Sequence, residues 1–168
     1  MIIFVDPGKS GGAVVHGPQG FQRFAWKSPE ATALELEALP LMEAYIEQVH
    51  GSGSLMPNQV FEFGRNLGHW EGIFSAMGVS LNYVKPYAWQ KPLGLANAKD
   101  YTERKKILYQ RSVKVVGKSW TSRATCDAWL MAWSWCHYVK PKDPLEKQLM
   151  NDMKDSFNAL REELVKHD

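Results

Sequence analysis

The chain has 168 residues, of which 45% are hydrophobic and 23% are charged, and its formal net charge at pH 7 is +2. This length suits one domain with a substantial core, and the composition excludes a disordered protein. No apolar stretch approaches the roughly 18 residues that a membrane helix needs. The N-terminal apolar run leads directly to Asp6, without the pattern of a signal peptide. Two cysteines, Cys126 and Cys136, are too few for a disulfide framework and predict a reducing, cytoplasmic compartment.

The first third of the chain predicts strands and one helix. Residues 2–6 are a β-branched and aromatic run closed by a Pro-Gly turn. The segments GGAVVHG and FQRFAW predict two further strands that form a meander with the first. Ser28 and Pro29 are a typical helix start, and that helix is predicted to end near Pro40. Residues 43–51 alternate between two faces and predict a fourth strand.

The rest of the chain is predicted to be mainly helical. A helix over residues 58–77 carries a stripe of small side chains at steps of four: Gly64, Gly68, Gly72 and Ala76. Glycine inside a helix costs about 1 kcal/mol relative to alanine, so the stripe predicts close packing on a sheet or a partner helix. Residues 81–89 predict a fifth strand, before a basic region with at least one helix. An apolar helix over 121–139 and an amphipathic helix over 145–167 follow, and the whole predicts an α/β fold with a mixed sheet flanked by helices.

Positive charge is concentrated in residues 91–123. This segment holds nine Lys and Arg residues against two acids, a local charge of +7, and because the total is +2 the remaining residues sum to −5. Such a block predicts a polyanionic partner, most simply nucleic acid. The candidate contacts with nucleic acid are basic side chains of this block and two outside it: Lys9, Arg65, Lys91, Lys99, Arg104, Lys105, Lys106, Lys118 and Arg123.

The Gly-Lys-Ser at residues 8–10 suggests a phosphate loop, but its surroundings exclude one. A Walker loop needs a glycine five residues before its Gly-Lys-Ser, so that backbone N–H groups can surround the phosphates. Here that position is Ile3, inside the predicted first strand. We therefore expect no nucleotide cofactor.

Three carboxylates occur in apolar segments, where a lone charge is costly. Asp6 ends the first strand, Glu47 lies in the fourth strand, and Asp127 lies on the apolar helix. Converging carboxylates raise one another's pKa unless a divalent cation compensates them, and oxygen ligands suit Mg²⁺ or Mn²⁺. The sequence therefore predicts a metal site formed by these three residues. Glu62, in the apolar segment VFEFG, is the rival of Glu47 for the second position.

Five blocks of the sequence are similar to those of a known family. They are IIFVDPGKSGG, YIEQVH, FEFGRNLGHWEGIFSAMGV, VKPYAWQKPLGL and DAWLMAW. In this order they resemble the RuvC-like Holliday-junction resolvases, especially the short phage-type relatives. The resemblance covers residues 1–139, a ribonuclease H-like nuclease domain, and leaves 140–168 as an additional C-terminal helix. It implies a ribonuclease H-like fold, a homodimer and Mg²⁺-dependent cutting of branched DNA, in the cytosol of a bacterium or of a phage-infected host.

The resemblance also implies roles for individual residues. Asp6, Glu47 and Asp127 fall on the family's catalytic acids, which would hold two Mg²⁺ ions per site, with Mn²⁺ as a substitute. Lys91 and Lys99 fall near the family's active-site lysines and are the further catalytic candidates. The implied reaction is resolution of a Holliday junction by paired phosphodiester hydrolysis.

Two other functions stay open at this point. One is a nuclease of the same fold that prefers forks or flaps, and the other is a junction-binding module that has lost catalysis. The latter rests on Arg123 and Ala124, which stand where the family has a further acid or histidine. Ser122 and Thr125 are the alternative sources of a fourth ligand.

Overall fold

The computed structural model of this chain describes residues 1–48, 56–95 and 100–165. Strands dominate the first part of the chain and helices the second, as the sequence predicts. The elements are β1 (Ile2–Asp6), β2 (Gly12–Gly17), β3 (Gly20–Ala25), α1 (Pro29–Glu37), β4 (Glu43–Glu47), α2 (Pro57–Ala76), β5 (Ser80–Val84), α3 (Pro86–Gln90), α4 (Tyr101–Val116), α5 (Cys126–Tyr138) and α6 (Pro144–Val165).

The five strands form one mixed sheet in the order β3-β2-β1-β4-β5. β2 is antiparallel to β1 and to β3, as expected of a meander with short turns. β4 is parallel to β1 and to β5, so the carboxyl ends of these three strands lie at the same edge of the sheet. The predicted mixed five-stranded sheet flanked by helices is confirmed.

The central strand β1 supplies both layers of the core because alternate side chains of a strand point to opposite faces. Phe4 packs on one face with Trp129 of α5, in a cluster to which α4 and α6 also contribute. Ile3 and Val5 pack on the other face, in a cluster that includes the fully buried Trp70 of α2. A strand buried on both sides explains the uninterrupted apolar run IIFV.

The amphipathic C-terminal helix α6 packs on the body of the domain. Its apolar residues Met150, Met153 and Phe157 are buried against α5. His16 of β2 and Ser156 also share a hydrogen bond, with 3.0 Å between Nε2 and Oγ. The division of the chain at residue 139 stays a prediction. Within the described ranges no helix combines the length and apolar character needed to cross a membrane.

The predicted boundaries of three elements differ from the structure. The fifth strand ends at Val84 and not at residue 89, because Pro86 occupies the first position of α3, where its fixed φ favours a helix. Helix α5 begins at Cys126, later than the predicted residue 121. The fourth strand ends at Glu47, and residues 49–51 of the predicted strand lie outside the described residues.

The small-residue stripe of α2 faces away from the sheet. A Cβ atom added at Gly64, Gly68 or Gly72 would meet no atom of a neighbouring element within 4 Å in the described part of the chain, whereas Trp70 and Phe74 on the opposite side are fully buried. The expected packing of this stripe on the sheet is therefore wrong. Packing on a partner helix stays a prediction.

Candidate active site

Three acids meet at the edge of the sheet where β1 and β4 end. Val5 and Ile46 are partners in the parallel pairing of these strands. The next residues, Asp6 and Glu47, are the last residues of β1 and β4 and therefore lie side by side. Helix α5 packs on β1 and begins at the same edge, which brings in Asp127 from its first turn. Asp6 is 8% exposed and Asp127 is 5% exposed. We call these three residues the carboxylate cluster.

A tight turn after β1 fixes the first acid. The backbone N–H of Gly8 donates a hydrogen bond to Oδ1 of Asp6 at 2.9 Å, and the N–H of Gly11 donates to the carbonyl of Gly8 at 2.9 Å. A Cβ at position 11 would lie 2.1 Å from the carbonyl oxygen of Asp6, so only glycine fits there. The DPGKSGG segment is thus a compact turn that orients the Asp6 carboxylate.

The second acid is held by a tryptophan. Nε1 of Trp89 in α3 donates a hydrogen bond to Oε1 of Glu47 at 3.0 Å. The Trp89 side chain is almost fully buried, so the indole is itself held in place by its packing. Trp89 therefore orients one carboxylate oxygen of Glu47 and leaves the other for a different partner.

A lysine from α4 enters the cluster between two of the acids. Nζ of Lys105 lies 2.6 Å from Oδ2 of Asp127 and 4.0 Å from Oδ2 of Asp6. The other oxygen of Asp127 accepts a hydrogen bond from the thiol of Cys126, with 3.1 Å between Sγ and Oδ1. The ammonium group is thus an internal counter-ion of the carboxylate cluster.

One ammonium does not offset the negative charge of three acids. Burial, together with the nearby Asp127 carboxylate, raises the pKa of Asp6 to about 6, although Lys105 opposes the shift. Burial, followed by the charges of Asp6 and Asp127, raises the pKa of Glu47 to about 8, against the opposing hydrogen bond from Trp89. Both shifts have the sign expected of carboxylates that lack a sufficient counter-charge.

The carboxylate cluster offers the kind of ligand atom that a hard divalent cation binds. Its oxygens are carboxylate oxygens, the ligands that Mg²⁺ and Mn²⁺ prefer. Burial and the neighbouring carboxylates raise the pKa values of Asp6 and Glu47, and a bound cation would oppose both effects by stabilising the ionised acids. In the described part of the chain, no three His, Cys, Asp or Glu side chains are already arranged around a single ion position. Lys105 instead contacts the Asp127 carboxylate.

The structure brings together the three acids predicted from the sequence and leaves their rival elsewhere. Glu62 lies on α2, where its Oε2 atom accepts a charged hydrogen bond from Nη2 of Arg65 at 2.9 Å. Neither Asp6 nor Glu47 has its pKa shifted by the charge of Glu62. The geometry therefore favours Glu47 as the second acid of the site.

Of the two predicted catalytic lysines, the structure describes only Lys91, and it does not contact the three acids. Lys91 ends α3 with its Nζ 5.4 Å from the centroid of the Tyr87 ring, and no ion pair joins it to the three acids within the described ranges. Lys99 lies outside the described residues. Ser122 and Thr125, the alternative ligands, hydrogen-bond to each other at 3.0 Å between their hydroxyl oxygens.

The other basic candidates are distributed around the cluster. Arg104 is close enough for its charge to lower the pKa of Asp6. The remaining described candidates are exposed at the surface: Lys9, Arg65, Lys91, Lys106, Lys118 and Arg123. Contact with nucleic acid stays a prediction for all of them.

Sequence reasoning missed two residues of the site. It counted Lys105 among the surface cations and quoted Trp89 without a role. The signal for Lys105 is its position on α4, three residues before Leu108 and seven before Ser112, both fully buried. Residues at this spacing share one face of a helix, so Lys105 belongs to the inward face. For Trp89, no pattern in the sequence indicates its contact with Glu47.

No family model and no curated protein sequence matches this chain. Its fold is similar to that of T. thermophilus RuvC in complex with a Holliday junction substrate. That match has a TM-score of 0.53 at 14% sequence identity and covers 80% of this chain and 93% of the other. A second structure of Thermus thermophilus RuvC matches with a TM-score of 0.49 at 15% identity and the same coverage. The first match shows that this chain has the ribonuclease H-like fold.

Proposed function

We propose that this chain is a metal-dependent endonuclease that cuts branched DNA, with the four-way Holliday junction as its substrate. The observation that carries the proposal is the carboxylate cluster at the carboxyl ends of β1 and β4. Asp6, Glu47 and Asp127 come from distant parts of the sequence and meet in one partly buried site with too little positive charge. A protein without metal chemistry has no physical reason to retain this electrostatic cost.

Asp6, Glu47 and Asp127 would hold two Mg²⁺ ions, or Mn²⁺ in their place. When bound, the cations would supply an activated water and stabilise the leaving oxygen in phosphodiester hydrolysis. The chain itself orients the ligands, because Gly8 holds Asp6 and Trp89 holds Glu47. The pKa of about 8 at Glu47 means that cation binding must release a proton near neutral pH, since the ligand is the carboxylate.

Among the described residues, Lys105 is the cation that forms ion pairs with two of the three acids. With the acids neutralised by metal, its ammonium would contact the phosphate that undergoes cleavage and stabilise negative charge there. Lys105 thus joins Lys91 and Lys99 as a candidate for the catalytic cation, and the role of Lys99 stays a prediction. Lys91 stays a candidate for contact with the DNA backbone.

DNA would approach over the surface cations around the cluster. Lys9 in the turn after β1, Arg104 and Lys106 of α4, and Lys118 and Arg123 before α5 are the candidate phosphate contacts. The T. thermophilus RuvC structure that shares this fold contains a Holliday junction, which supports a branched substrate. Binding through phosphates should weaken steeply as the salt concentration rises.

We also propose a homodimer, which would present two active sites for paired nicks. None of the described residues covers the glycine stripe of α2, and Phe61 near the N-terminal end of the helix is 68% exposed. Small side chains on an uncovered helix face allow the backbones of two copies of α2 to approach closely. This face is the candidate dimer interface.

Cleavage of a synthetic four-way junction tests the proposed activity. We expect paired nicks in Mg²⁺ or Mn²⁺, none in EDTA, and none with Asp6→Asn, which keeps the shape of the side chain but not its charge. Binding of the junction by Asp6→Asn should persist, because its surface cations are unchanged. Fork and flap substrates of the same arm sequences are measured in parallel.

Three outcomes would contradict the proposal in different ways. Full activity of Asp6→Asn would reject the carboxylate cluster as the active site. Faster cutting of forks or flaps would reject the junction as the preferred substrate. Tight junction binding without cleavage in either metal would identify a binding module without catalysis.

A further inference from the structure

A basic pocket lies between α4, α5, α6 and the turn that follows α3, away from the carboxylate cluster. Its volume is about 480 Å³, within the range of small-molecule binding sites. α6 contributes one wall through Arg161, so the part of the chain beyond the resemblance to RuvC-like proteins completes it.

Three cations line the pocket: Arg111 and Lys114 of α4 and Arg161 of α6. All three are exposed. Within the described ranges none of them forms an ion pair with an acid of this chain. Like charges that converge without an acid repel one another, and an anion placed between them would relieve that repulsion. Two guanidinium groups and one ammonium suit a phosphate in particular.

The same pocket has an aromatic and apolar side. Trp133 and Tyr138 of α5 and Leu93 of the turn contribute to its lining. One face of the Trp133 ring stacks on His137, with 3.6 Å between ring centroids, whereas Tyr138 is 56% exposed. A flat ring of a ligand therefore has the Tyr138 side chain available for stacking.

We propose that this basic pocket is a nucleotide-binding subsite. It holds one phosphate among Arg111, Lys114 and Arg161, and one base against the Tyr138 ring. Phosphate and an aromatic ring are the two chemical groups that every nucleotide combines, and stacking on an aromatic side chain accepts any base. The subsite is separate from the carboxylate cluster, and only the choice of a DNA strand as its occupant rests on the proposed function.

Two sources offer this chemistry: an unpaired nucleotide of a DNA strand and a free mononucleotide. Lys114 lies on the same helix as Lys105, nine residues later, which places it about 14 Å along the axis of α4 and roughly half a turn around it. A strand that leaves the active site can span this distance in a few nucleotides, since stacked bases in a strand rise about 3.4 Å each. This arrangement favours the DNA strand, and the experiment separates the two sources.

The test is a competition experiment monitored by fluorescence anisotropy. A fluorescein-labelled oligo(dT) strand is titrated with the full chain in EDTA, and then displaced with unlabelled oligo(dT), with dTMP or with inorganic phosphate. The variants are Arg161→Ala, Lys114→Ala and Tyr138→Ala. Lys147→Ala is the matched control, because Lys147 is an exposed cation of α6 that does not line the pocket.

Loss of either cation should weaken oligo(dT) binding about tenfold and reduce the slope of log Kd against log salt by about 0.7. Lys147→Ala should bind like the wild type. Tyr138→Ala should weaken displacement by dTMP and leave displacement by phosphate unchanged. Tighter binding of oligo(dT) than of dTMP assigns the pocket to a DNA strand, and equal binding assigns it to a free nucleotide.

The proposal is overturned if the two cation variants bind oligo(dT) like Lys147→Ala. It is equally overturned if phosphate displaces the strand as well as dTMP does, because the base then contributes nothing. Thermal unfolding of each variant excludes loss of the fold as the cause. Asp6→Asn should bind oligo(dT) normally, so a failure of the proposed nuclease activity is distinguishable from a failure of this subsite.

Discussion

Two glutamates in apolar segments have different environments. Glu47 lies at the end of β4, in the carboxylate cluster, and Glu62 lies on α2. Glu47 is brought against two other acids and a buried tryptophan, and its pKa rises to about 8. Glu62 stays at the surface of its helix and pairs with Arg65 one turn later. An exposed pair of this kind contributes roughly 0–1 kcal/mol to stability. The first glutamate has an electrostatic cost that indicates function, and the second has an ordinary surface environment.

The largest expected difference between these regions is in catalysis. Glu47→Gln should lower junction cleavage by about a thousandfold, because a lost metal ligand removes several kcal/mol of transition-state stabilisation. Glu62→Gln, the matched change on α2, should cleave within about twofold of the wild type. Single-turnover cleavage at saturating Mg²⁺ measures both. The assignment of Glu47 as a metal ligand is contradicted if Glu62→Gln loses cleavage and Glu47→Gln retains it.

The next difference is in the pH dependence of stability. The folded-state pKa values of about 6 at Asp6 and about 8 at Glu47 lie above the ordinary values of 3.8 and 4.5. The folded chain therefore keeps protons that the unfolded chain releases, and this stabilisation, complete below about pH 4, is lost as the pH rises through 6 and 8.

Urea unfolding in EDTA at several pH values from about 5 to 8.5 measures this effect. Glu47→Gln cannot ionise at this position, so the free energy of unfolding of the variant should exceed that of the wild type by on the order of 4–5 kcal/mol at the alkaline end. The difference should disappear near pH 4. A constant difference across the range would mean that Glu47 is not buried with a raised pKa.

The internal counter-ion provides the third comparison. Lys105→Met should lower the free energy of unfolding by about 2 kcal/mol near neutral pH in EDTA, because two buried acids lose their ammonium partner. The control is Lys106→Met, at the exposed residue next to Lys105. This change should alter the free energy of unfolding by less than about 0.5 kcal/mol. Added Mg²⁺ should raise the Tm of Lys105→Met more than that of the wild type. Equal Tm shifts would show that Lys105 does not compensate the acids.

The smallest effect is expected on the exposed side of α2. Gly68→Leu should raise the free energy of unfolding of the single chain by up to about 1 kcal/mol, because leucine forms helices better than glycine and no atom of the described residues lies within 4 Å of the added Cβ, but it should weaken dimerisation about tenfold. Glu37→Leu, on the exposed side of α1, adds a similar apolar surface as the control. Sedimentation velocity at several protein concentrations measures the dissociation constant. Unchanged dimerisation would remove the glycine stripe from the interface.

Much of this architecture could be predicted from the sequence because it depends on local signals. The run IIFVD with its Pro-Gly turn predicts β1, and a carboxylate at the end of a buried strand indicates a site at Asp6. Trp89 and Lys105 could not be placed with the cluster. Their contacts depend on how α3 and α4 cross the sheet edge, which is a property of tertiary packing and not of any short pattern. The expected packing of the glycine stripe on the sheet was wrong for the same reason, since spacing identifies a helix face but not what covers it.

The ammonium of Lys105 within the carboxylate cluster has a consequence for the biogenesis of the protein. A site of three acids alone would make completion of the fold depend on the supply of metal ions in the cell. Here a cation encoded in the chain itself contacts Asp127 and approaches Asp6 as soon as α4 docks. Under the proposed function, folding and metal binding are thus two separate events, and the chain can fold before an ion binds.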